Sequence, residues 1–151
     1  MIMQNTIDVC NPFDFSKVGD VELVTADAIE NFLAEAHQIS REKCKQIPKN
    51  ERILILRRAA GLMRNIHEEL ALLIAAEGGK PLIDARVEVT RAIDGVETCA
   101  NDLGNVIGKE IPMGLTEAAK NRIAFSIREP IGPVVAVSAF NHPLNLIVHQ
   151  V

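Results

Sequence analysis

Three sets of residues in this 151-residue chain have types and spacings that bear on chemistry. The first is Ser138-Ala139-Phe140-Asn141-His142, which follows the apolar run Val134-Val135-Ala136-Val137 and precedes Pro143 and Leu144. A continuous, β-branched apolar run reads as a fully buried strand of the parallel-sheet kind, and Pro is favoured at the first position of a helix. Asn141 and His142 are then expected in a strand–loop–helix turn at the carboxyl end of a strand, where open α/β sheets bind their ligands. His142 has two readings: it caps the helix that starts at Pro143, or it donates to, and when protonated attracts, an anionic group. The second set is Glu77-Gly78-Gly79-Lys80-Pro81. No strand precedes its glycines, so they read as a helix stop rather than a phosphate cradle. The third set is the cysteines Cys10, Cys44 and Cys99 with the histidines His37, His67, His142 and His149. The cysteines are odd in number and widely spaced, which fits a reducing compartment and gives no disulfide framework. No Cys or His spacing resembles a metal site, so no metal is expected.

Helices dominate the part of the chain that must position these residues. After a turn-rich opening and a short strand at Val21 to Val24, Thr25 reads as an N-cap. It starts an amphipathic helix carrying Ile29, Phe32, Ala36 and Ile39, which ends before Pro48. A second helix runs through Ile53, Leu56, Ala60, Met63, His67, Leu70 and Ile74 to the Gly78-Gly79 stop, with Arg57, Arg64 and Glu68 on its other face and His67 as a partly buried structural residue. A third places Ala85, Val89, Ala92, Val96, Cys99 and Leu103 on one stripe and Asp84, Glu88 and Arg91 on another. Arg91 reads either as an ion-pair partner of Glu88 or Asp84, or as a fork for an anionic ligand. Beyond these helices, Ile123, Phe125 and Ile127 alternate with smaller residues as in a half-exposed strand.

Composition excludes several classes. Sixteen Lys and Arg against twenty Asp and Glu give a net charge of −4, which advertises no nucleic acid or anionic membrane as a partner. With 48% hydrophobic residues the chain is not a disordered polar one. No apolar run approaches the roughly 20 residues that cross a bilayer, and the N-terminus does not read as a signal peptide, so the expected compartment is the cytoplasm.

Two stretches, taken in order, carry a resemblance. Glu77-Gly78-Gly79-Lys80-Pro81 with its flanking helices is similar to the E-x-G-K-P stretch of the aldehyde dehydrogenase superfamily. Arg128-Glu129-Pro130-Ile131-Gly132-Pro133-Val134-Val135, running into Phe140-Asn141-His142-Pro143-Leu144, resembles that family's R-x-P-x-G-V segment and its [WF]-N-x-P-L loop. The resemblance covers the chain from Asn11-Pro12 to Val151, departing at Ala139, where the family commonly has Pro. It implies an α/β fold: amphipathic helices, the first strand of a parallel dinucleotide-binding sheet, and part of a β oligomerisation arm. It also implies three regions: a helical part of the cofactor-binding domain over 1–110, part of the arm over 111–131, and the first strand with its loop and helix start over 132–151.

The implied activity is NAD- or NADP-dependent oxidation of an aldehyde through a cysteine thiohemiacetal. Asn141 takes the family's role of donating its side-chain amide to the oxyanion, and Val137, Ser138, Ala139 and Phe140 line the nicotinamide and ribose. His142 stands where many members have an aromatic residue facing the substrate. With Arg91 on a helix face towards the substrate tunnel, it suggests a small anionic aldehyde, as in phosphonoacetaldehyde-type members. The family's nucleophilic Cys, Glu base and ribose-binding Lys lie downstream of this loop, and none of Cys10, Cys44 or Cys99 stands in the nucleophile's motif. The chain is therefore expected to be the N-terminal part of a longer, homo-oligomeric enzyme, inactive and weakly stable alone. The rival expectation is a non-catalytic interaction or oligomerisation module derived from such an enzyme.

Overall fold

In the computed structural model, which describes residues 6–42 and 46–150, the site segments hang on three packed helices. The chain opens with an antiparallel hairpin, β1 (Thr6–Cys10) and β2 (Lys17–Glu22), in which Thr6 faces Glu22 and Ile7 faces Val21. Lys17 Nζ bridges Asp8 and Asp20 at 2.8 and 3.0 Å. Helix α1 (Ala26–Arg41) is capped as expected, the Thr25 hydroxyl accepting from the Ala28 amide at 3.3 Å. Then come α2 (Lys49–Asn65), α3 (His67–Gly78) and α4 (Leu82–Asp102), followed by the small sheet of β3 (Glu110–Ile111) and β4 (Ala124–Phe125) and finally α5 (Pro143–Val148).

The core lies where α2, α3 and α5 pack on α4. Ala60, Ala71, Ala85, Val89 and Ala92 are fully buried there with Ile74, Ile93 and Val96, and Leu144 and Val148 of α5 close over them. Alanines at the crossings let the helix backbones approach closely, so volume changes at those positions are felt at once. Polar pairs flank the seams: Arg64 to Glu97 at 2.6 Å, Arg57 to Asn101 at 3.3 Å, Arg86 to Glu68, and His67 Nε2 with the Thr90 hydroxyl at 3.0 Å. His67 is the half-buried structural histidine that its stripe suggested.

Several expectations change locally. The helix expected over 53–74 is two helices, broken at Ile66 (φ −112°, ψ 25°) where Asn65 and a β-branched residue meet, both weak helix formers. The opening is a hairpin rather than turns followed by one strand: Thr6–Cys10 alternates polar Thr6 and Asp8 with apolar Ile7 and Val9, a strand pattern that the turn residues after it obscure, and its partner β2 ends at Glu22. Cys99 is exposed, not core: the buried stripe of α4 drifts with the 3.6-residue period to Ile93 and Ala100. Cys44 lies outside the described residues. The alternating strand contracts to β4, paired with β3 and extended by the Ser126 amide donating to the Lys109 carbonyl at 2.8 Å.

The largest difference is at Val134 to Val137. These residues join no ladder among the described residues, and Val134, Val135 and Val137 are 71 to 76% exposed. A parallel strand is defined by the neighbours that bond to it, and the apolar run records a demand for burial that the described residues leave unmet. The α/β class itself stands.

Gly79 ends α3 with φ +64°, the left-handed turn that sends the chain to Lys80, and a Cβ there would sit 2.7 Å from Pro12 Cγ. Gly79→Ala is expected to cost about 1–2 kcal/mol from the strained φ alone. Thermal unfolding of the variant checks this, and an unchanged midpoint contradicts it.

Candidate active site around the Asn141 loop

A buried carboxylate organises the loop. Glu88 on α4 is 1% exposed, on the helix face that packs against α5. Its Oε1 accepts from the backbone amides of Leu144 and Asn145 at 3.0 and 3.1 Å. These are the second and third residues of α5. Pro143, the first, has no N–H to satisfy, so Glu88 supplies from another helix the acceptor that a capping side chain normally provides. His142 occupies the N-cap position without a side-chain capping bond, so the capping alternative for this residue is not the one realised.

The other carboxylate oxygen, Oε2, accepts from Lys80 Nζ at 2.6 Å. Lys80 also donates to the Asn141 carbonyl at 2.9 Å and meets His142 Nδ1 at 3.0 Å. Burial alone raises the pKa of Glu88. The hydrogen bonds from Lys80, Asn145 and Leu144 outweigh it and hold the carboxyl below its ordinary 4.5. Glu88 is therefore an anion, with donors on both oxygens.

The loop borders a cleft of about 260 Å³ lined by Ile74, Gly78, Lys80, Phe140, Asn141 and Pro143. Asn141 is exposed, and its side-chain amide has no partner among the described residues. The Phe140 ring is 93% exposed. Upstream, the Val137 carbonyl accepts from Gln150 Nε2 at 3.1 Å and the Ser138 hydroxyl donates to the Pro143 carbonyl at 3.2 Å, which folds the segment back on α5. The structure thus brings together Phe140, Asn141 and His142, with Val137, Ser138 and Ala139 leading into them.

Arg91 is elsewhere, exposed in a separate depression with Ile83, Arg86, Val87 and Thr90. Neither of its expected ion pairs, with Glu88 or with Asp84, is made among the described residues, and the Glu88 carboxylate is taken by Lys80. Lys80 and Glu88 hold the loop through bonds for which the sequence reading assigned neither residue a role. A signal existed: Glu88 falls at the 3- and 4-residue spacing between Ala85 and Ala92, on the buried stripe, where a charged residue requires a partner. Among the described residues no three metal-capable side chains converge, and no helix is long and apolar enough to cross a membrane.

Comparison with known proteins agrees with this architecture. The sequence model of the aldehyde dehydrogenase family matches residues 2–151. Aspartate-semialdehyde dehydrogenase 1 of Pseudomonas canavaninivorans is 34% identical over 99% of this chain and 32% of its own length. Aldehyde dehydrogenase 21 of Physcomitrella patens, solved with its reaction product succinate, superposes with a TM-score of 0.87 at 30% identity, over 99% of this chain and 31% of that one. Glyceraldehyde-3-phosphate dehydrogenase of Methanocaldococcus jannaschii, solved with NADP, gives 0.86 at 31% identity, over 96% and 30%. The chain spans about a third of the length of the relatives it matches.

Proposed function

The chain belongs to the aldehyde dehydrogenase family, and we propose that the enzyme carrying it oxidises a small anionic aldehyde with NAD or NADP. The observation that carries this reading is the Asn141 amide, without a partner and at the edge of a cleft, on a loop whose backbone is held from both sides. A neutral amide donor carried on a held backbone stabilises negative charge that develops on an aldehyde oxygen when a thiol adds to the carbonyl carbon. Asn141 is the proposed oxyanion donor.

The residues present suit a nicotinamide cofactor. Val134 to Phe140 carry no charged side chain to oppose a pyrophosphate, and Phe140 offers an exposed apolar face beside the cleft. When bound, the nicotinamide supplies the hydride acceptor. Val137, Ser138, Ala139 and Phe140 would hold its ring and ribose side, and Asn141 would hold the substrate oxygen.

Substrate class rests on His142. Lys80 is a donor only, so in the neutral tautomer that carries its proton on Nε2 the facing Nδ1 accepts from it at 3.0 Å, the same Nδ1 lying 3.4 Å from Glu88 Oε2. The ring is 43% exposed, leaving Nε2–H to donate to an anionic group. Related enzymes act on an aspartate semialdehyde, yield succinate or take glyceraldehyde 3-phosphate, each with a carboxylate or phosphate. Arg91, in its separate depression, has no part in this proposal.

We further assign residues 111–131 to an oligomerisation arm. Ile123, Phe125 and Ile127 are 66 to 90% exposed around a two-stranded sheet whose outer edges are unpaired among the described residues.

The test is steady-state reduction of NAD and NADP by the complete enzyme with chain-matched anionic and neutral aldehydes. The anionic substrate should have the higher kcat/KM, and His142→Phe should lower that preference by about tenfold or more, the worth of one hydrogen bond to a charged group. Equal efficiency with both aldehydes, or a preference unchanged in His142→Phe, overturns the substrate assignment. Absence of nicotinamide reduction with any aldehyde favours the non-catalytic module.

A further inference from the structure

Lys80 is fully committed. An ammonium has three hydrogens and no lone pair, and the three acceptors around Nζ are Glu88 Oε2, the Asn141 carbonyl and His142 Nδ1. Although it borders the cleft, Lys80 has no donor left for a ligand. Its side chain is 17% exposed and that of Glu88 is 0% exposed, so the pair spans the boundary between the helical core and the loop.

The two members grip the loop at different points. Lys80 holds the carbonyl of Asn141 and the ring of His142, whereas Glu88 holds the amides of Leu144 and Asn145. The Asn141 side chain thus leaves a backbone fixed on its own carbonyl and again at its third and fourth successors. A buried ion pair is a weak device for stability, since apolar residues of similar volume serve as well or better. An apolar pair could not hold a carbonyl, two amides and an imidazole nitrogen at once.

We infer that Lys80 and Glu88 are positioning residues: the buried pair sets where the Asn141 amide stands and has no direct contact with substrate. The inference rests on the oxyanion role proposed for Asn141. Its physical weight comes from the steepness of catalysis in geometry, where a displacement of about 1 Å costs about 10²-fold in rate.

The experiment is a double-mutant cycle on the complete enzyme, reading kcat, KM for aldehyde and nicotinamide, and thermal unfolding for Lys80→Met, Asn141→Ala and the double variant. Lys80→Met should lower kcat by about 10- to 100-fold with KM for the nicotinamide within about twofold. In the Asn141→Ala background the same change should cost about twofold or less, because the group it positions is gone. Glu88→Gln, which keeps an acceptor for Leu144 and Asn145 but weakens the hold on Lys80, should show the same non-additivity. Losses that multiply across the cycle overturn the inference while leaving the role of Asn141 intact. Full kcat in Lys80→Met, or failure of both Lys80→Met and Glu88→Gln to fold, also overturns it by making the pair structural only. Full kcat in Asn141→Ala instead overturns the oxyanion reading, and this inference with it.

Discussion

Asn141→Ala in the complete enzyme is expected to lower kcat by about 10²- to 10³-fold, with KM for the aldehyde changed far less. That is the measured scale for removing one preorganised oxyanion donor. The split between kcat and KM follows from when the bond matters: a ground-state carbonyl oxygen gains little from the amide, whereas the developing alkoxide gains a great deal. Asn141 is exposed and its side chain supports nothing else among the described residues, so the loss should come without a loss of stability. A variant with a matching fall in unfolding temperature, or one whose effect is confined to KM, contradicts this role. Asn141→Asp should be at least as damaging, since an anion faces the charge that forms.

Glu88→Ala should produce a large stability change, about 3–5 kcal/mol. Breaking a buried pair leaves Lys80 as an uncompensated charge, and the amides of Leu144 and Asn145 lose their acceptor. Thermal or denaturant unfolding reads this directly, and a change within about 0.5 kcal/mol, the range of an ordinary surface substitution, contradicts it. The pair also imposes a pH dependence of known sign. The folded pKa of Glu88 lies below its ordinary 4.5. Its ionised form therefore stabilises the fold fully above that value, and the stabilisation is lost as pH falls through the depressed folded pKa. Stability of the wild type should drop on acidification below about pH 4.5, and the drop should be shallower in Glu88→Gln, which has no proton to take up. Equal slopes in the two proteins would assign the acid sensitivity to other carboxylates.

The legible parts of the sequence were those whose cause is local. Thr25 is a good N-cap wherever it precedes a helix, Gly79 marks a left-handed turn by its missing Cβ, and Pro143 fits a first helical turn because its N–H is not needed there. The loop that bears Asn141 was legible for the same reason, since a strand-like run followed by a helix start brackets it. What escaped has non-local causes. That Glu88 caps α5 from 56 and 57 residues away, or that Lys80 meets His142 62 residues on, is set by the packing of α5 on α4. Nothing in either residue's own neighbourhood encodes its partner. The break at Ile66 escaped because the apolar spacing of α2 continues in phase into α3, so periodicity alone joins them. Gly108 is a further case: a Cβ there would lie 1.6 Å from the Ser126 carbonyl oxygen, a close approach visible only once the two segments are side by side.

The Val134 to Val137 run shows the converse. Its composition states correctly that these side chains seek burial, and composition cannot say which strands supply it. In the described residues, α5 is tied to α4 through Glu88, and the turn at Asn141 is tied to Lys80 just before α4. The backbone of the loop is thus held on the helical layer at the Asn141 carbonyl and at the amides of Leu144 and Asn145.

The most direct measurement is a crystal structure of the complete enzyme with its aldehyde held as the covalent thiol adduct. The Asn141 side-chain amide should lie about 2.7–3.1 Å from the adduct oxygen, with Lys80 still bonded to the Asn141 carbonyl and to Glu88. An adduct oxygen contacted by other groups, with the Asn141 amide turned away from it, would contradict the role assigned to this loop.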